Sequence, residues 1–208
     1  MAVYNDAICK RCRALGAKLF LKGERCFTSK CAFEKRPYAP GKNKISRRKT
    51  TSYAEHLKEK QKAKTIYGVL EKQFRKYFAE ASRQKGETGI NLISILERRL
   101  DNVVFRAGIA TSRKEARRLV SHGHIVVNGR KVNIPSYLLK KGDIISLSEK
   151  SKTKEEFKNR FEESAKRTAS SWISVDTSNL SATFTDVPTK EDIQPQFNEN
   201  AIVEIYSK

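Results

Sequence analysis

The sequence predicts an α+β chain, and three observations carry that expectation. Four cysteines are confined to the first 31 residues, apolar residues recur at helical spacing from about residue 52 to 121, and a tight-turn dipeptide follows between β-branched runs. These read as an amino-terminal metal knuckle, a mainly helical region, and a unit of two helices with a small, twisted antiparallel sheet.

The cysteines are spaced Cys9-x2-Cys12, thirteen residues, Cys26-x4-Cys31, and no other cysteine occurs. Two short loops that each supply a pair of sulfurs, joined by a segment that lets the pairs face each other, are how a tetrahedral thiolate site is built. Disulfides or a redox Cys-x-x-Cys would need an oxidising compartment or a thioredoxin-like βαβ context. Met1 is followed by Ala-Val-Tyr-Asn-Asp with no apolar signal core, and no stretch approaches the ~18 apolar residues of a membrane span, so the chain reads as soluble and intracellular. Zn2+ is the expected ion for four thiolates, with an iron–sulfur cluster as the alternative. Closed at every position, such a site does no catalysis. Its binding free energy, on the order of 10 kcal/mol or more, goes into folding.

The charge balance names the kind of partner. The 43 Lys and Arg against 23 Asp and Glu give a formal net charge of +20. By segment the net is +11 for residues 1–50, +5 for 51–100, +6 for 101–150 and −2 for 151–208, so the polyanion footprint lies in the first three-quarters. No basic amphipathic helix with an aromatic-rich apolar face occurs, which favours nucleic acid over a membrane surface. At 38% hydrophobic residues, the chain supports two or three small cores.

Within the knuckle, Lys10, Arg11, Arg13, Lys22 and Arg25 are candidate nucleic-acid contacts. Lys35 and Arg36 open a stretch with Pro37 and Pro40 that runs to Arg47 and Arg48 without apolar periodicity, an arm ordered by RNA or a linker. Tyr53, Leu57, Leu70, Phe74, Tyr77, Phe78 and Ala81 then mark the core faces of two helices, with Lys58 and Lys62 as further basic candidates on the first. Asn91 opens a stronger helix with Leu92, Ile93, Leu96, Leu100, Val103 and Val104 inward, ending at Gly108. Ser112-x-x-Glu115 is a capping box for the next helix, and Gly123 stops it. On it Arg113, Lys114, Arg117 and Arg118 fall at about 0, 100, 40 and 140 degrees by helical arithmetic, a continuous basic stripe. Four cations with only Glu115 near them repel one another, so the stripe reads as an RNA contact rather than a solvated face. Ile125 to Val132 is a hairpin with the Asn128-Gly129 pair of a type I′ turn, its tip presenting Asn128, Arg130 and Lys131 as candidate RNA contacts. His122 and His124 either contact RNA or close the helix end and the hairpin base. A second turn at Lys140-Lys141-Gly142-Asp143 feeds Ile144, Ile145 and Leu147. Phe157, Phe161 and Ala165 mark one more helix, and Trp172–Val175 and Ile202–Tyr206 read as short strands.

The run LERRLDNVVFRAGIATSRKEARRLVSHGHIVVNGRKVNIPSYLLKKGDIISL closely resembles the RNA-binding module of the S-four family of small-subunit ribosomal proteins. The module alone also occurs in RNA-modifying enzymes and stress proteins. The knuckle LFLKGERCFTSKC, the arm KRPYAPG, the stretch YAEHLKEKQKAKTIYGVLEKQFRKYF and the closing VEIYSK extend the resemblance, in order, over nearly the whole chain, to the bacterial-type, four-cysteine form of the family. Where the family commonly has PGQHG, this chain has Pro40-Gly41-Lys42-Asn43-Lys44.

The resemblance implies residues 1–45 as knuckle and arm, and 98–160 as the RNA-binding module, inserted within a mainly helical domain of 46–97 plus 161–208. It implies a cytoplasmic structural constituent of the small ribosomal subunit, a primary binder of the 5′ domain of 16S rRNA that nucleates the 30S body. It further implies ribosomal proteins three, five and twelve as partners, mRNA near its entrance, and a share in translational accuracy. Many family members lack the cysteines, which implies that the metal stabilises the amino terminus without being required for RNA binding. An enzyme would need a separate catalytic domain; no G-x-G-x-x-G occurs, and the only other histidine is His56 on a charged helix. The remaining alternative is a free-standing structured-RNA chaperone or translational repressor.

Overall fold

The computed structural model describes residues 4–41, 49–166, 170–193 and 195–207, without side chains for 164–166 and 190. In chain order the helices are α1 (Ile8–Leu15), α2 (Ala32–Lys35), α3 (Ser52–Ile66), α4 (Glu71–Arg83), α5 (Thr88–Glu97), α6 (Leu100–Arg106) and α7 (Arg113–Ser121). The strands β1 (Ile125–Val127), β2 (Arg130–Lys131) and β3 (Ile144–Leu147) follow, then α8 (Glu149–Lys152), α9 (Glu155–Lys166), β4 (Ile173–Asp176), β5 (Ser181–Phe184), α10 (Lys190–Ile193) and α11 (Glu199–Ser207). The chain divides into two compact units, Met1–Ile93 with Pro195–Lys208, and Ser94–Gln194.

In the first unit the cysteines lie on α1, on a 3-10 turn (Gly23–Phe27) and at the start of α2. Helix α3 starts where Thr51 accepts the Ala54 N–H, a hydroxyl cap at 3.3 Å. Helix α4 buries Phe74, Tyr77 and Ala81, as its spacing predicts. Tyr53 and Leu70, expected on core faces, are instead 60% and 39% exposed: Tyr53 lies in the first turn of α3 and Leu70 is the N-cap of α4, where few neighbours reach.

The segment Ile202–Tyr206, expected as a strand, is the body of helix α11. Asn198 Oδ1 accepts the N–H groups of Asn200 and Ala201, capping the helix. Ala201 and Ile202 are buried, and Tyr206 stacks on Phe78 with ring centroids 4.4 Å apart. The β-branched run Ile202-Val203-x-Ile205 mimics a strand, but packing against α3 decides for the helix.

The second unit is built around an antiparallel five-stranded sheet of order β2-β1-β3-β5-β4. Ile125, Val127, Ile145 and Leu147 point from β1 and β3 into its core, joined by Ala182 and Phe184 of β5. Strand β5 has no counterpart in the sequence reading, because Ser181-Ala182-Thr183-Phe184 follows the turn residues Thr177 to Leu180 with little apolar content. Residues 173–184 therefore belong to this unit's sheet, where the sequence reading grouped everything from 161 onward with the helices.

The single helix expected from Asn91 to Gly108 is two helices. Arg99 is extended (φ −65°, ψ 137°) and bridges to Leu138. Leu100 and Asp101 donate their N–H groups to Tyr137 and Pro135, and Leu139 donates to Arg98. The loop after the hairpin supplies partners that satisfy the backbone, so the break costs no orphaned polar groups.

Candidate nucleic-acid interface

The four cations of α7 divide into two pairs. The helix is set by Ser112, whose hydroxyl accepts the Glu115 N–H at 3.3 Å, while the Glu115 carboxylate reaches back to Thr111 N–H and hydroxyl at 2.8 and 2.6 Å. The reciprocal half of the expected box thus closes on Thr111 rather than Ser112. Ala116 and Val120 are buried against the core. Lys114 and Arg118 are exposed, whereas Arg113 and Arg117 are half-buried. Arg113 donates to Asn102 Oδ1 at 2.7 Å and lies 4.5 Å over the Phe105 ring. Asn102 in turn donates to the buried Glu97, which also holds Arg106 at 2.8 Å. Arg117 reaches Asp101 at 3.3 Å, sharing that carboxylate with buried Arg99 at 2.5 Å. The continuous stripe predicted from helical arithmetic is therefore half structural: periodicity sees the angle of a residue on its own helix, not the amide of Asn102 and the carboxylate of Asp101 that α6 brings beside it.

The hairpin beside this helix has the turn its sequence predicts, with Asn128 and Gly129 at φ 47° and 78°. Asn128 is exposed, but its side chain is spent on the fold: Nδ2 donates to Asp143 at 2.8 Å and Oδ1 accepts from Ile144 N–H at 2.9 Å. Arg130 and Lys131 on β2 are exposed. The Lys131 side chain crosses Gly123: a Cβ at that glycine, itself at φ 72°, would stand 2.1 Å from Lys131 Cε. His122 is exposed, and its ring lies parallel to that of His124 with centroids 6.4 Å apart. His124 is half-buried, with Nδ1 2.9 Å from Ser151 Oγ. Burial, together with Lys154, His122 and Lys131, lowers its pKa, so it resists protonation. Asn128 aside, whose side chain is engaged, Lys114, Arg118, His122, Arg130 and Lys131 are the solvent-facing part of the predicted set in this unit.

In the first unit Lys10, Lys22, Arg25, Lys35, Arg36 and Lys58 are exposed. Arg11 and Arg13 are half-buried: Arg11 lies 4.1 Å over the Tyr4 ring, and Arg13 Nε donates to the carbonyls of Arg36 and Tyr38 at 3.1 and 2.9 Å. Arg13 therefore ties the start of the arm to α1. Lys62 pairs with Glu59 at 2.6 Å. Arg47 and Arg48, with Lys42 to Lys44, lie outside the described residues. Sequence reasoning missed Lys72, Arg75 and Lys76, an exposed cationic row on α4; its signal was their i, i+3, i+4 spacing opposite Phe74, Tyr77 and Ala81.

All four cysteines are free thiols; Cys12, Cys26 and Cys31 are buried and Cys9 half-buried. Burial raises the Cys12 pKa, a backbone hydrogen bond at Leu19 acts against it, and the charges of Cys9, Cys26 and Cys31 add to the rise. Cys26 Sγ accepts the Lys22 N–H at 3.3 Å. Among the described residues, no group of three or more His, Cys, Asp or Glu side chains is arranged to hold a metal ion. No helix among them is long and apolar enough to cross a membrane.

Comparison with known proteins adds the whole-chain view. The family described as ribosomal protein S4/S9 N-terminal domain matches residues 3–97, and the S4 domain matches residues 98–145. Over 208 residues, covering all of this chain and all of each relative, the sequence is 55% identical to the small ribosomal subunit protein uS4A of Alkaliphilus metalliredigens. It is 54% identical, at the same coverage, to uS4 of Caldicellulosiruptor bescii and 51% identical to uS4 of Clostridioides difficile. With a sheet-bearing unit that exposes a basic helix and hairpin, and an end-to-end match in both family segments, the chain belongs to the ribosomal protein S4 family.

Proposed function

We propose that this chain is a structural constituent of the small ribosomal subunit, a protein of the cytoplasm that binds the 5′ domain of 16S rRNA directly and nucleates the body of the 30S particle. The full-length match to relatives named small ribosomal subunit protein uS4 carries this reading. The exposed cations of α7 and β2 give it a physical basis. The family is one of ribosomal structural proteins rather than enzymes.

Binding has two layers. Exposed Lys and Arg displace counterions from phosphates, a term that weakens by about 0.7 to 0.9 logarithmic units per contact for each tenfold rise in salt and carries no sequence information. Selectivity comes from shape: a capped, rigid helix with Lys114 and Arg118 on its outer face, beside Arg130 and Lys131, fits backbone and 2′-hydroxyl groups of a folded RNA junction. The half-buried Arg113 and Arg117 hold that helix on α6, so they act on RNA through position.

The same reading takes ribosomal proteins three, five and twelve and the mRNA entrance as neighbours, with a share in decoding accuracy. It also takes Cys9, Cys12, Cys26 and Cys31 as ligands of a structural Zn2+. Four free thiols, three of them buried and one already accepting a backbone N–H, are the donor set such an ion takes. Bound there, the ion supplies folding energy to a polar segment and no chemistry.

The test is equilibrium binding of the full chain to the 5′ domain of 16S rRNA against a scrambled RNA of equal length, over a salt series. A preference for the folded domain that survives high salt is expected. Equal affinities that collapse together with salt would leave a general basic protein and favour the chaperone or repressor reading.

A further inference from the structure

Phe27 is 74% exposed, the most exposed large hydrophobic side chain among the described residues. It closes the 3-10 turn that carries Cys26 and stacks on Phe20, with ring centroids 5.0 Å apart and planes 28° apart. Phe20 is itself held at φ 51°, a left-handed conformation that a bulky residue adopts only when its surroundings impose it. Lys18 Nζ lies 5.3 Å from the Phe20 ring centroid and is paired with Glu34. The fold thus spends backbone strain on a platform that fixes one aromatic ring and leaves its neighbour open to solvent.

The residues that flank Phe27 in the chain bear on what its ring meets. Thr28, the next residue, lines a surface recess of 610 Å³ together with Glu24, Arg25, Lys30 and Lys35. Three cations against one carboxylate favour an anion there, and both Lys30 and Lys35 are exposed. An exposed aromatic face beside a cationic recess matches a nucleotide: a base has a π-face for the ring and a phosphate for the cations. An apolar peptide would leave these cations unmatched.

We propose that Phe27 is a base-stacking residue, which takes one unpaired rRNA nucleotide on its ring with the adjoining phosphate over Arg25, Lys30 and Lys35. The inference rests on the rRNA-binding function proposed above and assigns the knuckle a direct recognition role, beyond support of the amino terminus. Because Phe27 contributes little to the core, its replacement leaves the fold standing.

Full-length wild type, Phe27→Ala, Phe27→Leu and Phe27→Tyr are compared by equilibrium binding to the 5′ domain of 16S rRNA over a salt series, with circular dichroism as the fold control. Phe27→Ala is expected to weaken binding roughly five- to a hundredfold with an unchanged salt slope, since stacking releases no counterions. Phe27→Tyr is expected to bind like wild type and Phe27→Leu like Phe27→Ala. Lys30→Ala with Lys35→Ala is expected to reduce the salt slope by about 0.7 to 0.9 for each phosphate that is no longer neutralised. Wild-type affinity in Phe27→Ala overturns the stacking role and leaves the ring to a protein neighbour. Full rescue by Phe27→Leu also overturns it, because any apolar group would then serve. A wild type with no preference for the folded domain would instead fell the rRNA-binding function itself.

Discussion

At the scale of single residues, α7 separates contact from support. Lys114 and Arg118 face solvent, whereas Arg117 holds Asp101, which is 4% exposed. Lys114→Glu with Arg118→Glu is therefore expected to weaken binding to the 16S 5′ domain by at least tenfold and to leave the melting temperature within a degree or two of wild type. Arg117→Glu sets a second carboxylate against a buried one and is expected to destabilise the chain by about 1–3 kcal/mol, measured by urea unfolding, before any effect on RNA is counted. A Lys114→Glu, Arg118→Glu protein that binds normally would remove the helix from the interface. Side-chain type and spacing made these cations legible as a group, but the sequence does not say which of them an acid sixteen residues upstream will claim. Asn128 teaches the same lesson: the Asn-Gly pair announced the turn, and the turn then consumed the side chain that was expected to meet RNA.

At the scale of elements, the amphipathic helices and the hairpin were legible because their period is local. The elements that were not legible are set by partners distant in sequence: the break at Arg99 by residues 135–139, β5 by β3, and α11 by α3. Helix α11 is tethered through Tyr206, which donates to Glu71 at 3.0 Å while Lys60 and Lys64 hold the same carboxylate at 2.8 and 2.6 Å. Burial alone would raise the Glu71 pKa, yet the hydrogen bonds from Lys60, Lys64 and Tyr206 bring it down to about 2. A depressed carboxylate stabilises the fold above its ordinary value of 4.5, and that contribution is lost as pH falls from 4.5 through about 2. Protection of the α11 amides, taken relative to the intrinsic exchange rate at each pH, is accordingly expected to fall over that window in wild type, and far less in Glu71→Gln, whose α11 should already be less protected at pH 7. Gly123→Ala probes the hairpin base: a strained left-handed alanine, costing about 1 kcal/mol, would also displace Lys131. Thermal unfolding reads the first effect, and a reduced salt slope for rRNA binding reads the second.

At the scale of the whole molecule, the cysteines test how far the knuckle supports the rest. Under the proposed Zn2+ ligation, chelation, or Cys12→Ser, is expected to increase proteolysis within residues 1–41 and to weaken rRNA binding only in part, with the Ser94–Gln194 unit retaining its strand protection in amide exchange. Complete loss of binding would make the knuckle the primary contact. Family membership was legible because motifs ran the length of the chain in order, whereas the division of the fold was not, since a unit boundary inside α5 has no punctuation in the sequence. That division also sets an order in time. The first unit needs α11, which is made only after every residue of the second unit, while the second unit is one continuous stretch. A chain stopped at residue 195 therefore holds every residue of the unit with the basic helix and its sheet, but lacks the helix that covers α3 in the other.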